Sequence, residues 1–221
     1  GAPISGKAWT LGVSSASPTV QMAAGATGDI FWPSRGEKAL EKFTPWGEPL
    51  GGGFPVTTNM TKPVAAALDA PGNVFVTTSG IGASLTCTNN TAGELLKLGP
   101  DGQALPEEGP VGAESVFAGL TEHVTTLAVD QKTGNVYVGR ECGEAFHVQV
   151  YGPGGGGASH IPMAEFGSAQ FSTPVGAFLN QMAIDESTGT VYASDSGAEV
   201  GAEEYGAVQV FKDTSAHRTL T

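Results

Sequence analysis

The chain has 221 residues, with 10 Lys and Arg against 22 Asp and Glu and a formal net charge of −12; nucleic acid is thereby excluded as a partner, because a basic footprint is needed to displace its counterions. Hydrophobic residues make up 40% and charged residues 14%, which excludes a disordered chain, and no apolar run approaches the roughly 18 residues of a spanning helix, which excludes helical membrane insertion. The 33 Gly and 14 Pro predict many turns in one well-buried domain, and Gly1-Ala2-Pro3 lacks the charged-then-apolar pattern of a signal peptide, so any targeting segment is expected to have been removed.

In chain order, Lys7-Ala8-Trp9-Thr10-Leu11-Gly12-Val13 alternates like a strand, and four repeats follow near residues 18–57, 63–118, 124–166 and 179–213. Each repeat opens with a short apolar strand, a turn ending in Gly, and a second strand. These are Val20–Ala23 to Gly28 and Ile30-Phe31, Val64–Asp69 to Gly72 and Val74–Val76, Leu127–Asp130 to Gly134 and Val136–Val138, and Met182–Asp185 to Gly189 and Val191–Ala193. The anchor glycines lie 44, 62 and 55 residues apart. Third strands are predicted at Leu40–Phe43, Leu95–Leu98, Val148–Tyr151 and Val208–Phe211; the first three run into turns carrying Pro and Gly, which suit hairpin connections. Fourth strands are expected near Phe54-Pro55-Val56, Ser115–Ala118 and Ala164–Phe166. No segment shows a helical period.

Four-stranded units at this spacing predict an all-β chain, a β-propeller built from about four repeats, since one such sheet is too small to bury its own faces and must be covered by its neighbours. An irregular β-sandwich is the alternative. Asp69, Asp130 and Asp185 recur just before the turns and are read as turn-fixing acceptors for the backbone amides of their own hairpins. Phe31, Phe75, Tyr137 and Tyr192 share one position and are read as packing between sheets.

The strings Val129-Asp130 through Val136-Tyr137-Val138, and Ile184-Asp185 through Val191–Ser196 followed by Val208–Phe211, resemble NHL repeats of secreted bacterial propeller proteins. The resemblance covers most of residues 18–213. It implies an extracellular or cell-surface protein, and related propellers bind proteins, bind glycans, or act as lactonases and lyases. Because familiar NHL propellers have more blades than the four repeats visible, three arrangements stay open: a compact four-bladed ring, a piece of a larger ring, or half of a ring completed by another copy. The strand at Lys7–Val13 would close a ring by serving as the outer strand of the last blade.

Cys87 and Cys142 fall between the second and third strands of successive repeats, on loops that share one face of a propeller, and a Cys87–Cys142 disulfide is expected; two separate thiols are the alternative. The four histidines show no metal-binding spacing, and His123, just ahead of an inner strand, is the one weak candidate for a metal or acid-base role. The connections from Ser79 to Gly93, Arg140 to Phe146 and Asp195 to Gly206 read as enlarged loops on one face. Arg140, Glu141, Glu144, Asp195, Glu199, Glu203 and Glu204 there form the candidate binding set, suited to a basic partner, with calcium as the one ion its oxygens would suit. No cofactor is expected, and no nucleophile elbow or phosphate loop is present. The functional expectation is a binding or assembly module whose partner is a protein, a glycan or other copies of itself. The alternatives are a metal-assisted hydrolase or lyase, and a structural protein that polymerises through strand edges.

Overall fold

The computed structural model describes residues 20–78, 93–105, 116–120, 123–142, 145–153, 163–167, 179–200 and 203–212. Within them there are four antiparallel sheets and no helix. The first holds β1 (Ala23–Ala24), β2 (Ile30–Ser34) and β3 (Ala39–Phe43), with Val56 bridging to Leu40 at its outer edge. The second holds β4 (Pro63–Leu68), β5 (Val74–Thr78), β6 (Gly93–Leu98) and β7 (Val116–Leu120). The third holds β8 (His123–Val129), β9 (Val136–Cys142), β10 (Ala145–Tyr151) and β11 (Ala164–Phe166), and the fourth β12 (Leu179–Asp185), β13 (Thr190–Val200) and β14 (Glu203–Phe211). Each sheet is a meander in chain order. The predicted fourth strands near Val56, Val116 and Ala164 therefore lie where expected, while Lys7–Val13 lies outside the described residues.

The sheets stack in series. Inner strand β1 lies against β4, β4 against β8, and β8 against β12. Strand alternation explains why this stacking is stable. On β5, Val74 and Val76 pack toward the first sheet with Phe31, Leu40, Phe54 and Met60, while Phe75 between them packs toward the third with Val124, Leu127 and Val129. On β9, Val136 and Val138 complete that second cluster, and Tyr137 turns the other way to meet Met182, Val191, Ala193 and Phe211 of the fourth sheet. Middle sheets are thus buried on both faces, which is why their strands read as continuous apolar runs. Gly139 shows how close the approach is: a Cβ there would sit 2.7 Å from Leu179 Cδ2 of the fourth sheet. Four sheets in series replace the two-layer sandwich held open above.

The turns follow the expected chemistry. Gly28, Gly72, Gly134 and Gly189 all have φ between 68° and 90°, a region that only glycine enters without steric cost. Asp69 Oδ1 accepts from the Asn73 amide at 2.7 Å, and Asp130 Oδ1 from those of Lys132 and Thr133 at 2.9 and 3.2 Å. Asp185 Oδ1 accepts from the Ser187 amide at 2.9 Å. The aromatic position is buried in three sheets, but Tyr192 of the fourth is exposed, because no further sheet covers it among the described residues.

Candidate functional site

Two of the connections read as enlarged loops are strand pairs instead. β9 continues through Cys142 and β10 begins at Ala145, with Arg140 opposite His147 and Glu141 opposite Phe146. β13 continues through Val200 and β14 begins at Glu203, with a register shift between Asp195 and Ala198. The last pairing of β13 with β12 is Asp195 with Leu179. Beyond it Ala198, Glu199 and Val200 pair with Tyr205, Glu204 and Glu203, so the fourth sheet runs on as a two-stranded ribbon. Each amide and carbonyl satisfied across the ribbon offsets the weak strand propensity of Ala and Glu, which misled the sequence reading. The register sets Glu199 across from Glu204 and Glu203 across from Val200. Glu144 and Cys87 lie outside the described residues, as do the side chains of His123, Glu141, Cys142, Asp195, Glu199, Glu203 and Glu204, of which only the strand register is described.

Arg140 is not presented on an open loop. It is buried in β9, where its Nη1 donates to Gln149 Oε1. Tyr151 Oη donates to the same oxygen at 2.8 Å, Gln149 Nε2 donates to Glu165 Oε2 at 2.9 Å, and His147 Nε2 stands 4.0 Å from that carboxylate oxygen. A guanidinium is held inside a protein only where hydrogen-bonding partners replace its water, and this cluster supplies them between the second and third sheets. Arg140 therefore belongs to the core and is removed from the candidate binding set.

An open cavity of about 390 Å³ is lined by residues of all four inner strands and their flanking turns. Its wall is rich in alanine, with Ala23, Ala66, Ala128 and Ala183 each supplied by a different sheet. Polar groups gather at two levels. Gln21 reaches from the first repeat to the third: its Nε2 donates to the Leu127 carbonyl at 2.6 Å, and its Oε1 accepts from the Leu127 amide at 3.1 Å and the Thr126 hydroxyl at 2.7 Å. Nearer the turns, Gln131 Nε2 donates to the Leu68 carbonyl at 2.5 Å, and Glu186 accepts from the amides of Gln131 and Lys132, both at 3.1 Å. Burial works against the charged form of Asp130, but hydrogen bonds from the Thr133 hydroxyl and the Lys132 and Thr133 amides outweigh it and hold the carboxyl below the usual aspartate range. The hydroxyls of Ser187 and Thr188 and the Ser187 amide shift the half-buried Asp185 carboxyl in the same direction. Sequence reasoning missed Gln21, Gln131 and Glu186, which carry no motif and meet only when the inner strands converge. Among the described residues no three His, Cys, Asp or Glu side chains come together as metal ligands would.

No protein-family model and no curated protein matches the chain. Among solved structures it is similar to the nidogen/laminin complex, with 13% identity, 87% of this chain aligned to 64% of that one, and a TM-score of 0.54. The fold is a β-propeller. The chain spans a little under two thirds of the length of that structure. It also superposes on the Dos1 propeller, with 11% identity, 79% of this chain on 41% of that one and a TM-score of 0.46. For a streptogramin B lyase the values are 11% identity, 90% of this chain on 56% of that one, and 0.47.

Proposed function

We propose that this propeller chain is a non-catalytic binding module of NHL type, acting outside the cell or at its surface, with a protein partner that offers a basic surface. The β13–β14 ribbon carries the proposal, because it extends past the last pairing with β12 and gathers Glu199, Glu203 and Glu204 at its far end. Like-charged residues at one cross-strand position destabilise a ribbon by themselves, and an incoming cation relieves the repulsion. The formal charge of −12 on the whole chain favours the same class of partner by steering it during encounter. The similar nidogen/laminin structure is a complex of two proteins, and a protein partner for this chain is part of the proposal.

A lysine-rich peptide titrated calorimetrically tests the proposal. Saturable binding that weakens as salt rises is expected, with a loss of about tenfold or more, equivalent to roughly 1.4 kcal/mol, in the Glu199→Ala/Glu203→Ala/Glu204→Ala variant. Equal affinity in a variant with unchanged circular dichroism would overturn it.

A further inference from the structure

We infer that the outward face of the fourth sheet docks the first sheet of a second copy of this chain, head to tail. The third and fourth sheets carry nearly the same third strand, Val148-Gln149-Val150-Tyr151 and Val208-Gln209-Val210-Phe211, in the same register. Tyr137 pairs with Val150 as Tyr192 pairs with Val210, and Gly139 pairs with Val148 as Ser194 pairs with Val208. Val148 and Val150 are 0% exposed, whereas Val208 is 62%, Val210 49% and Tyr192 40% exposed. The fourth sheet therefore offers the same half of an interface that is filled in the third.

What fills that half elsewhere in the molecule is known residue by residue. The Tyr137, Val148 and Val150 face is covered by Met182, Val191, Ala193 and Phe211 of the next sheet. The pairings Ala183 with Tyr192 and Ala23 with Phe31 align the fourth sheet with the first. In that alignment Met22, Ile30, Trp32 and Phe43 correspond to those four covering residues, since Ile30 pairs with Phe43 as Val191 pairs with Phe211. Met22 is 49% exposed where Met182 is 8% exposed, and Ile30 and Trp32 are only half-buried, while Phe43 is already buried at the edge of this face. Alternation along β2 turns these residues away from the second sheet, toward which Phe31 points. Both halves of one interface are thus carried at opposite ends of the same stack, and they continue a mode of contact already used three times within the chain.

Such a contact is heterologous, so it either closes into a ring or propagates as a filament. Two copies bring eight sheets among the described residues, within the roughly 4–8 blades at which propellers close, so a discrete dimer is expected. Each copy carries −12, so the apolar contact forms against long-range repulsion, and added salt is expected to strengthen the dimer by screening it.

Sedimentation of the whole chain from about 5 to 300 µM tests the inference: a reversible dimer is expected, weakened by about tenfold or more in Val208→Asp/Val210→Asp and in Met22→Asp. Mixing these two variants restores a one-to-one pair, because each retains the half that the other has lost. Both substitutions fall on exposed side chains, and an unchanged melting transition at the lowest concentration shows that the variants fold. A strict monomer over this range, a filament, a dimer indifferent to both variants, or a mixture that stays monomeric would overturn the inference. The Glu199→Ala/Glu203→Ala/Glu204→Ala variant is expected to dimerise normally, so failure here and failure of the proposed binding function are told apart.

Discussion

Asp130 and Asp185 show how far one carboxylate can specify a turn. Asp130 accepts from two backbone amides and, at 2.7 Å, from the Thr133 hydroxyl, and Asp185 accepts from the Ser187 amide and from the hydroxyls of Ser187 and Thr188. At Asp130 such charge-assisted bonds contribute roughly 1.5–3 kcal/mol each before losses on relaxation, and Asp130→Asn is expected to cost about 1–3 kcal/mol at neutral pH in chemical denaturation. The sign of the pH dependence follows from the lowered carboxyls. Their stabilisation is complete above the unfolded value of about 3.9 and is lost as pH falls through the lower folded value. The stability gap between the native chain and Asp130→Asn should therefore shrink below about pH 4, and a gap that stays constant would count against this account. These aspartates were legible in the sequence because their role is local. Glu186 was not, because its amide partners Gln131 and Lys132 belong to the preceding repeat.

The third and fourth sheets form an internal control for burial. Val150 lies between two sheets and Val210 on an outer face, though each follows Val-Gln in the same strand. Val150→Ala is expected to destabilise by about 2 kcal/mol, the transfer cost plus the cavity left behind, and Val210→Ala at low micromolar concentration by less than about 0.5 kcal/mol. Equal losses on urea denaturation would contradict the facing assigned to β10 and β14. Gly139→Ala should also destabilise, because its Cβ would intrude on Leu179. Strand existence was readable from alternation and β-branched residues, whereas strand length was not. The extensions of β9 and β13 contain Gly, Ser, Ala and Glu, whose strand preference is weak, and only cross-strand hydrogen bonding holds them extended.

Across the whole molecule, Gln21 ties the first sheet to the third. Besides its side-chain bonds, its backbone donates to the Val64 carbonyl at 3.0 Å and accepts from the Ala66 amide at 2.9 Å, so one residue joins three repeats. Gln21→Ala leaves the buried Leu127 amide without its acceptor and should cost about 1–3 kcal/mol, with hydrogen exchange accelerated first in residues 30–43. Uniform acceleration over all four sheets would show that this bridge does not set the order of opening.

By itself the sequence determined the repeat, its strands, the glycine and aspartate turns, and the apolar alternation that forces each sheet to seek a neighbour, because all of these depend on residues within a few positions of one another. Only the tertiary structure decided which of two equivalent Val-Gln-Val strands is buried. It alone also enclosed Arg140, extended the Glu199 ribbon beyond its sheet, and joined Gln21 to Leu127 of the third sheet. Those outcomes depend on what lies against a side chain, and local sequence does not specify the arrival of a neighbour from a hundred or so residues away.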